Sequence, residues 1–236
     1  MISKNQIKFV KQLEQKKYRR REGLFVAEGP KVVGDLIRAG FKPQALYATS
    51  GEWAMAQTVT EEELRKVSFL QHPQQVVALF KIPVVKQAIP TTLHLALDGI
   101  QDPGNLGTII RIADWFGIDT VFCSEDTADA WAPKVVQATM GSIARVNIIY
   151  TDLAALLGST TLPVYGTLLD GVNIYTQSLT PDGIIVMGNE GNGISKKIRE
   201  RIDHRLLIPP FSKGDTAESL NVAIATAITC SEFRRR

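Results

Sequence analysis

Six short apolar runs in the second half of the chain place the strongest constraint on its fold. They lie at residues 93–97, 120–123, 145–150, 163–168, 183–187 and 205–208. Helical patterns fall between most of these runs, and strands that alternate with helices form parallel sheets covered on both faces. Ligands of such sheets usually bind beyond the carboxyl ends of the strands. The pattern therefore predicts an α/β domain with a mostly parallel sheet and a site at that edge.

A smaller α/β pattern precedes this one. Strand-like runs at 24–27, 45–48 and 76–80 alternate with helical patterns, one of which opens with the capping-box sequence Thr60-Glu61-Glu62-Glu63. Residues 81–92 contain two prolines and no helical period, which is typical of an extended linker. We therefore predict an N-terminal domain over residues 1–82, a linker over 83–92 and a C-terminal domain over 93–236.

The composition narrows the class of protein. With 236 residues and 44% hydrophobic content, the chain can bury a substantial core. No apolar run approaches the roughly 20 residues needed to cross a bilayer, and the N-terminus lacks the apolar core of a signal peptide, so a cytoplasmic location is expected. Cys123, Cys230 and the three histidines show no metal-ligand spacing, so neither a metal site nor redox chemistry is expected.

The first 21 residues are strongly basic, although the net charge of the whole chain is only +3. Glu14 is their single acidic residue. The basic residues are Lys4, Lys8, Lys11, Lys16, Lys17, Arg19, Arg20 and Arg21. We predict a helix over residues 2–15, followed by a basic link that leads to Gly23. The charge excess favours a polyanionic partner, and a solvated, lysine-rich helix face is the alternative.

The first of three polar stretches follows the strand at 93–97 and opens a helix. Asp102 is a candidate N-cap, with Pro103 at the first helical position. Asn105 then has no capping role, and Arg111 lies in an otherwise apolar helix, where a guanidinium needs a partner. Asn105 and Arg111 are six residues apart, so on a regular helix their side chains point about 120° away from each other. They would therefore contact one site from two positions and not bond to each other. A salt bridge from Arg111 to a helix or subunit neighbour is the alternative.

The second stretch, Gly183–Ser195, is an apolar strand that ends in three closely spaced glycines and Glu190. Its G-x-x-G-x-G spacing differs from the dinucleotide fingerprint, and Ile194 stands where a phosphate-binding loop needs lysine. Glycines at this density let the backbone approach a ligand closely, or they serve only a tight turn.

The third stretch begins with the strand-like run at 205–208, which stops at Pro209 and Pro210. A polar loop and an Ala/Ile/Thr-rich helix follow. One interpretation is that Ser219 or Asn221 only caps this helix. The other is that the three polar strand ends meet at one edge of a parallel sheet. The side chains that would line this edge are Asn105, Glu190, Ser219 and Asn221.

In order, content and spacing, these stretches resemble the three motifs of the SpoU/TrmH family of RNA ribose methyltransferases. The matching segments are LDGIQDPGNLGTIIRIADWFGID, IVMGNEGNGIS and IPP…ESLNVAIATAI, and the resemblance covers about residues 93–230. Residues 134–142 are similar to the family's connecting segment. The N-terminal part, with Tyr18-Arg19-Arg20 and Gly23 to Gly29, is similar to the substrate-binding domain of many relatives.

This resemblance implies a catalytic domain with a trefoil knot that works as a homodimer and binds S-adenosylmethionine in the knot loops. The implied catalytic residues are Asn105, Arg111, Glu190, Ser219 and Asn221. The implied cofactor-binding residues are Gly188, Asn189, Ile208, Pro209, Ser219 and Leu220. Either of two roles follows for Arg111, a general base or a phosphate clamp, although a free guanidinium has a pKa above about 12 and resists deprotonation.

The implied partner is structured RNA, with 23S ribosomal RNA favoured over tRNA by the two-domain layout. The RNA-binding candidates are Lys16, Lys17, Arg19, Arg20 and Arg21. A non-catalytic RNA-binding assembly factor is the other functional class to test. The chain departs from the family pattern at residues 211–217, where the loop is longer than in its relatives.

Overall fold

The computed structural model describes residues 1–84, 90–212 and 217–235. They divide into two compact units. Unit 1 comprises Met1–Val84 and Asp129–Arg145, and unit 2 comprises Val85–Ala128 and Val146–Arg236. Within the described ranges, no helix is long and apolar enough to cross a membrane.

Unit 1 is built on a four-stranded sheet with the order β1-β4-β2-β3. Its strands are β1 (Leu24–Glu28), β2 (Pro43–Ala48), β3 (Gln57–Thr58) and β4 (Val76–Lys81). Its helices, numbered along the chain, are α1 (Lys4–Gln12), α2 (Lys16–Glu22), α3 (Pro30–Arg38), α4 (Glu61–Val67) and α6 (Pro133–Ala138). Strand β4 is antiparallel to both β1 and β2. The predicted strands and the capping box of α4 are confirmed, whereas the two-residue β3 was not predicted.

The basic segment before Gly23 is a helix and not the predicted link. Lysine and arginine are good helix formers, and five of the seven residues of α2 are lysine or arginine. Gly23 ends the helix in the left-handed conformation, with φ of 62°, and its N–H bonds to the carbonyl of Arg19. The basic side chains of this segment are therefore arranged on a helical surface.

Residues 129–145 pack in the core of unit 1. The ring of Trp131 lies 4.7 Å from that of Phe25, and Val136 and Ile143 belong to the same buried cluster. The sequence-based division assigned these residues to the C-terminal domain, and its limits stay a prediction. Its linker over 83–92 includes residues 85–89, which lie outside the described residues.

Unit 2 contains a six-stranded, fully parallel sheet with the order β10-β8-β9-β5-β6-β7. The strands are β5 (Leu93–Asp98), β6 (Thr120–Cys123), β7 (Asn147–Tyr150), β8 (Val164–Asn173), β9 (Gly183–Gly188) and β10 (His204–Leu207). The helices are α5 (Pro103–Trp115), α7 (Leu153–Ser159), α8 (Lys196–Arg199) and α9 (Val222–Arg234). The predicted α/β class and parallel sheet are confirmed. Because Asp98 pairs with Gly188, the central strands β5 and β9 end at the same level.

Strand β8 extends beyond its predicted end at residue 168. Its pairing with β10 shifts abruptly, since Arg205 pairs with Gly166 and the next residue, Leu206, pairs with Val172. A Cβ atom at Gly171 would lie 2.5 Å from the carbonyl carbon of Leu206, so only glycine fits there. The polar, glycine-containing end of β8 looks like a turn in the sequence, which is why its extension was missed.

Candidate active site

The site of unit 2 is formed where β5 and β9 end side by side. Asp102 caps α5 by accepting a hydrogen bond from the N–H of Asn105 over 2.8 Å, and Pro103 occupies the first turn, as predicted. After β9, the loop folds back on itself through paired backbone hydrogen bonds between Asn189 and Gly193. A Cβ atom at Gly188 would lie 2.3 Å from the carbonyl carbon of Gly193. The glycine at 188 therefore permits this close backbone approach.

Two side chains fasten the β9 loop to the end of β5. The amide nitrogen of Asn189 donates to the carbonyl of Gly99 over 2.6 Å, and its oxygen accepts from the N–H of Gly191. Asp98, which is buried, accepts the N–H of Ser195 over 2.7 Å. These bonds fix the backbone of both loops. Asp98 was not among the predicted site residues, because a carboxylate at the end of an apolar strand carries no distinct sequence signal.

A continuous chain of hydrogen bonds joins the three polar stretches. The amide nitrogen of Asn105 donates to Glu190 Oε1 over 3.1 Å, and Asn105 Oδ1 accepts from the amide of Asn221 over 2.9 Å. Asn221 is also the N-cap of α9. The capping interpretation was therefore right for Asn221, and the same side chain also contacts Asn105. Each Asn105 group keeps a second hydrogen-bonding position for a substrate.

Glu190 is held in its charged form. Burial raises the pKa of its carboxyl, but hydrogen bonds from Asn105 and from the backbone N–H groups of Gln101 and Asp102 outweigh this, and the pKa lies below its ordinary value of 4.5. Glu190 therefore carries a negative charge at neutral pH, and its carboxylate accepts hydrogen bonds from residues at the start of α5.

Ser219 and Arg111 are not part of the hydrogen-bond chain that joins Glu190, Asn105 and Asn221. Ser219 is exposed, and its side chain has no hydrogen-bond partner in the described ranges of the chain. Arg111 is also exposed, and among the described residues its guanidinium forms no ion pair with a helix neighbour. The guanidinium is thus available to a phosphate or to a second subunit.

A cavity of about 560 Å³ lies against the ends of β8, β9 and β10. Of the predicted cofactor residues, Gly188, Asn189, Ile208, Ser219 and Leu220 line it, whereas Pro209 is outside the lining. The lining also includes Asp170, Arg199 and Glu218, which were not predicted. Asp170 forms ion pairs with Arg199 and Arg205. Arg199 lies in a charged segment typical of a surface helix, and Asp170 lies in a stretch that looks like a turn, so only the fold shows that these two reach the cavity.

The predicted RNA-binding residues lie on α2 of unit 1. Lys17, Arg20 and Arg21 are exposed, and Lys16 is half-buried. Arg19 is 2% exposed, and its guanidinium bonds to Asp129 over 3.0 Å and to the carbonyls of Leu13 and Glu14. Its donors are thus occupied inside unit 1, which the sequence could not show because Asp129 is 110 positions away.

Comparison with known proteins decides the family. The model of the SpoU rRNA Methylase family matches residues 92–231, and the MRM3-like substrate binding domain matches residues 4–78. The chain belongs to the SpoU rRNA methylase family. The resemblance to SpoU/TrmH enzymes is therefore confirmed, and so is the assignment as an enzyme of the methyltransferase class.

Three similar proteins match along almost their whole length. The 23S rRNA (guanosine(2553)-2'-O)-methyltransferase RlmP of Bacillus subtilis is 31% identical, over 98% of this chain and 97% of its own. A TrmH-family protein from Porphyromonas gingivalis is 42% identical with a TM-score of 0.89, covering 100% of this chain and 99% of that one. The AdoMet-bound rRNA methyltransferase from Sinorhizobium meliloti is 30% identical with a TM-score of 0.89, covering 100% and 97%.

Proposed function

We propose that this SpoU protein transfers the methyl group of S-adenosylmethionine to a ribose 2'-hydroxyl of ribosomal RNA, with 23S rRNA as the favoured substrate. The observation that carries the proposal is the hydrogen-bond chain Glu190–Asn105–Asn221, which joins three separate motifs beside a cavity lined by one of its members. The full-length similarity to RlmP supports the choice of rRNA.

The cavity is suited to S-adenosylmethionine. Its volume of about 560 Å³ falls within the range of roughly 300–1,000 Å³ that is usual for cofactor sites. Met187, Ile208 and Leu220 give it apolar walls for an adenine ring. Asp170, Arg199 and Glu218 supply charges of both signs for an amino-acid portion and for hydroxyls. The bound cofactor would supply the electrophilic methyl group.

The role of the protein is to position the acceptor ribose and to remove its proton. Such positioning can lower a barrier by about 7–11 kcal/mol in the best cases. Asn105 is oriented from both sides, by Glu190 and by Asn221, so its remaining donor and acceptor point in defined directions. We assign Asn105 and Asn221 to substrate orientation, Glu190 to holding Asn105, and the exposed Ser219 to contacts at the cavity wall.

Arg111 is assigned to the RNA. An exposed guanidinium with no ion-pair partner among the described residues suits a phosphate, which it can bind through two parallel hydrogen bonds. The general-base role implied by the family requires an unusually low pKa. The phosphate-clamp role and the general-base role of Arg111 predict different pH dependences of the methylation rate. A rate that rises with pH in the wild type but not in Arg111→Ala supports the general-base role.

Unit 1 would deliver the RNA through α2. Lys16, Lys17, Arg20 and Arg21 are the proposed phosphate contacts, and the buried Arg19 is instead assigned to holding α2 against Asp129. Deletion of residues 1–80 would remove Phe25 and other core residues against which Trp131 packs, so the rest of unit 1 would lose its core. Surface variants of the whole chain are the better test of RNA delivery.

The trefoil knot and the homodimer implied by the family are part of the proposal. In support of the knot, the cavity is lined by β8 itself, by the segments that follow β9 and β10 and by the start of α9. In support of the dimer, Trp115 of α5 is 84% exposed and Ile224 of α9 is 52% exposed, and these helices pack together. Exposed apolar side chains on two packed helices suit contact with a second copy. With a bacterial 23S rRNA such as that named for RlmP as the substrate, the proposed location is the cytoplasm.

Two alternatives remain as outcomes of the test. One is a tRNA substrate, and the other is a non-catalytic assembly factor. In single-turnover assays with rRNA and tRNA transcripts, we expect methylation of rRNA, loss of activity in Arg111→Ala and full activity in the surface control Arg201→Ala. Unchanged turnover in Arg111→Ala excludes both roles of that residue. Calorimetry that detects no S-adenosylmethionine binding would favour the assembly factor.

A further inference from the structure

Unit 1 contains a second cleft, formed by parts of the chain that lie outside the three methyltransferase motifs. Its volume is about 410 Å³. Its lining includes Thr49, Arg65, Gln71, His72, Gln74 and Gln75. Ligand pockets have volumes of roughly 300–1,000 Å³, so the cleft can accept a ligand of about the size of one nucleotide.

Five polar side chains of this lining are not engaged with the protein. In the parts of the chain that the structure describes, the side chains of Arg65, Gln71, His72, Gln74 and Gln75 are exposed and make no hydrogen bond or ion pair. Three amides, an imidazole and a guanidinium therefore present free donors and acceptors around one concave surface.

The backbone at Gln75 is held in an unusual conformation beside the cleft. Gln75 has a φ of 48°, a left-handed conformation that a glutamine rarely adopts. Its carbonyl accepts the N–H of Thr49 over 2.9 Å, which ties it to the end of β2. Gly29 leaves room for Gln74, because a Cβ atom there would lie 3.2 Å from Gln74 Oε1. Unusual backbone conformations of this kind are concentrated at ligand sites.

The chemistry of the lining fits a nucleobase better than a phosphate. Glu61 and Arg65 both line the cleft, so its formal charges offset each other, whereas a phosphate site is basic. A glutamine amide can bond to the edge of a base through a donor and an acceptor together. Unpaired RNA bases are read in this way, and they stack on planar histidine and arginine side chains.

We infer that this cleft binds one unpaired base of the substrate RNA, with the amides of Gln71 and Gln74 reading its edge. The inference rests on the proposed function, since it names the feature of the RNA that unit 1 recognises. Lysines and arginines on α2 would then supply affinity for any RNA through phosphates, while the cleft would supply preference for particular bases.

The test uses the full-length protein and hairpin RNAs that share one stem and carry loops of only adenosine, only uridine or only cytidine. A matched duplex without a loop is the fourth probe, and binding is measured by fluorescence anisotropy. We expect the wild type to prefer one loop by about tenfold, and Gln71→Ala/Gln74→Ala to bind all loops within about twofold of each other. Binding of the duplex should stay unchanged in this variant.

Lys17→Ala/Arg20→Ala is the matched control, and it should weaken binding of all four probes by a similar factor while keeping the loop preference. A loop preference that survives in Gln71→Ala/Gln74→Ala overturns the inference, and so does a wild type that binds every probe equally. In both cases RNA binding itself persists and the proposed function stands. A wild type that binds none of the RNAs contradicts the proposed function as well.

Discussion

Asn221 donates a hydrogen bond from its side-chain amide to Oδ1 of Asn105 over 2.9 Å, although 116 positions separate the two in the sequence. The oxygen of the same amide caps α9 by accepting the N–H groups of Ala223 and Ile224. One side chain thus begins a helix and orients a site residue. Because the two roles use different atoms, substitution can separate them.

Asn221→Asp should keep the cap and lose the site contact. The aspartate carboxylate can still accept the N–H groups of the first turn of α9. It has no N–H to donate to Asn105, and it places a carboxylate oxygen against Asn105 Oδ1. We expect a melting temperature near that of the wild type and a turnover lower by on the order of 10²-fold, because misplacement of a positioning group has effects of this size. Thermal unfolding and single-turnover methylation measure the two effects.

The control for this substitution is the cap of another helix in unit 2. Asp152 accepts the N–H groups of Ala154 and Ala155 at the start of α7. Asp152→Ala should lower stability, because it removes this cap and the ion pair with Lys197, and it should leave turnover unchanged. If Asn221→Asp retains wild-type turnover, the contact with Asn105 has no role in catalysis.

Gly188 should not tolerate a methyl group, whereas Gly191 should. A Cβ atom at Gly188 would lie 2.3 Å from backbone atoms of Gly193 and Ile194, but one at Gly191 would meet only Asn189 Oδ1, at 3.6 Å. Gly188→Ala is therefore expected to displace the loop and abolish S-adenosylmethionine binding in calorimetry. Gly191→Ala should bind it with nearly wild-type affinity. Wild-type affinity in Gly188→Ala would show that the loop does not form the cofactor site.

Asp98 is predicted to be a positioning residue for the cofactor loop. Its carboxylate accepts the N–H of Ser195 over 2.7 Å. Asp98→Ala leaves this N–H unpaired, a loss of about 1–3 kcal/mol, so S-adenosylmethionine affinity should fall by on the order of tenfold. Asp98→Asn keeps an acceptor oxygen and should restore most of the affinity. A Kd that is equally poor in both variants would point to a general loss of packing instead.

The contribution of Glu190 to stability should depend on pH. Since the folded-state pKa of Glu190 lies below its ordinary value, the charged carboxylate stabilises the fold above that ordinary value, and this stabilisation is lost as pH falls through the lowered pKa. Glu190→Gln should therefore be less stable than the wild type at pH 7, and the two should converge in acid. Denaturant unfolding at a series of pH values measures the difference.

Glu200→Gln is the control for the pH series. The Glu200 side chain is exposed and makes no hydrogen bond in the described part of the chain, so this substitution should alter stability little at any pH. A stability difference between Glu190→Gln and the wild type that stays constant from pH 7 into acid would contradict the account of the Glu190 charge.

Local rules predicted much of this structure from the sequence. The Asp102 cap, the capping box at Thr60 and the parallel strands depend on spacing within a few residues or on apolar periodicity, and the structure has all of them. The contact of Asn105 with Glu190 follows from the pairing of β5 with β9, and its contact with Asn221 follows from the packing of α9 on α5. The family resemblance had already grouped these three residues.

Long-range pairing accounts for what was missed. The burial of Arg19 depends on Asp129, and the extent of β8 depends on its irregular pairing with β10. Asp98 and Asp170 have no distinctive sequence context, and their partners Ser195 and Arg199 are identified only by the fold. Such features have no local signature, so periodicity and spacing could not reveal them.

Methyl transfer to the ribose is tested most directly by nucleoside mass spectrometry of rRNA incubated with the purified protein and S-adenosylmethionine carrying a deuterated methyl group. We expect labelled 2'-O-methyl nucleosides with the wild type and none with Asn105→Ala. Label found on a base, or no label in any nucleoside although the cofactor binds, would contradict it.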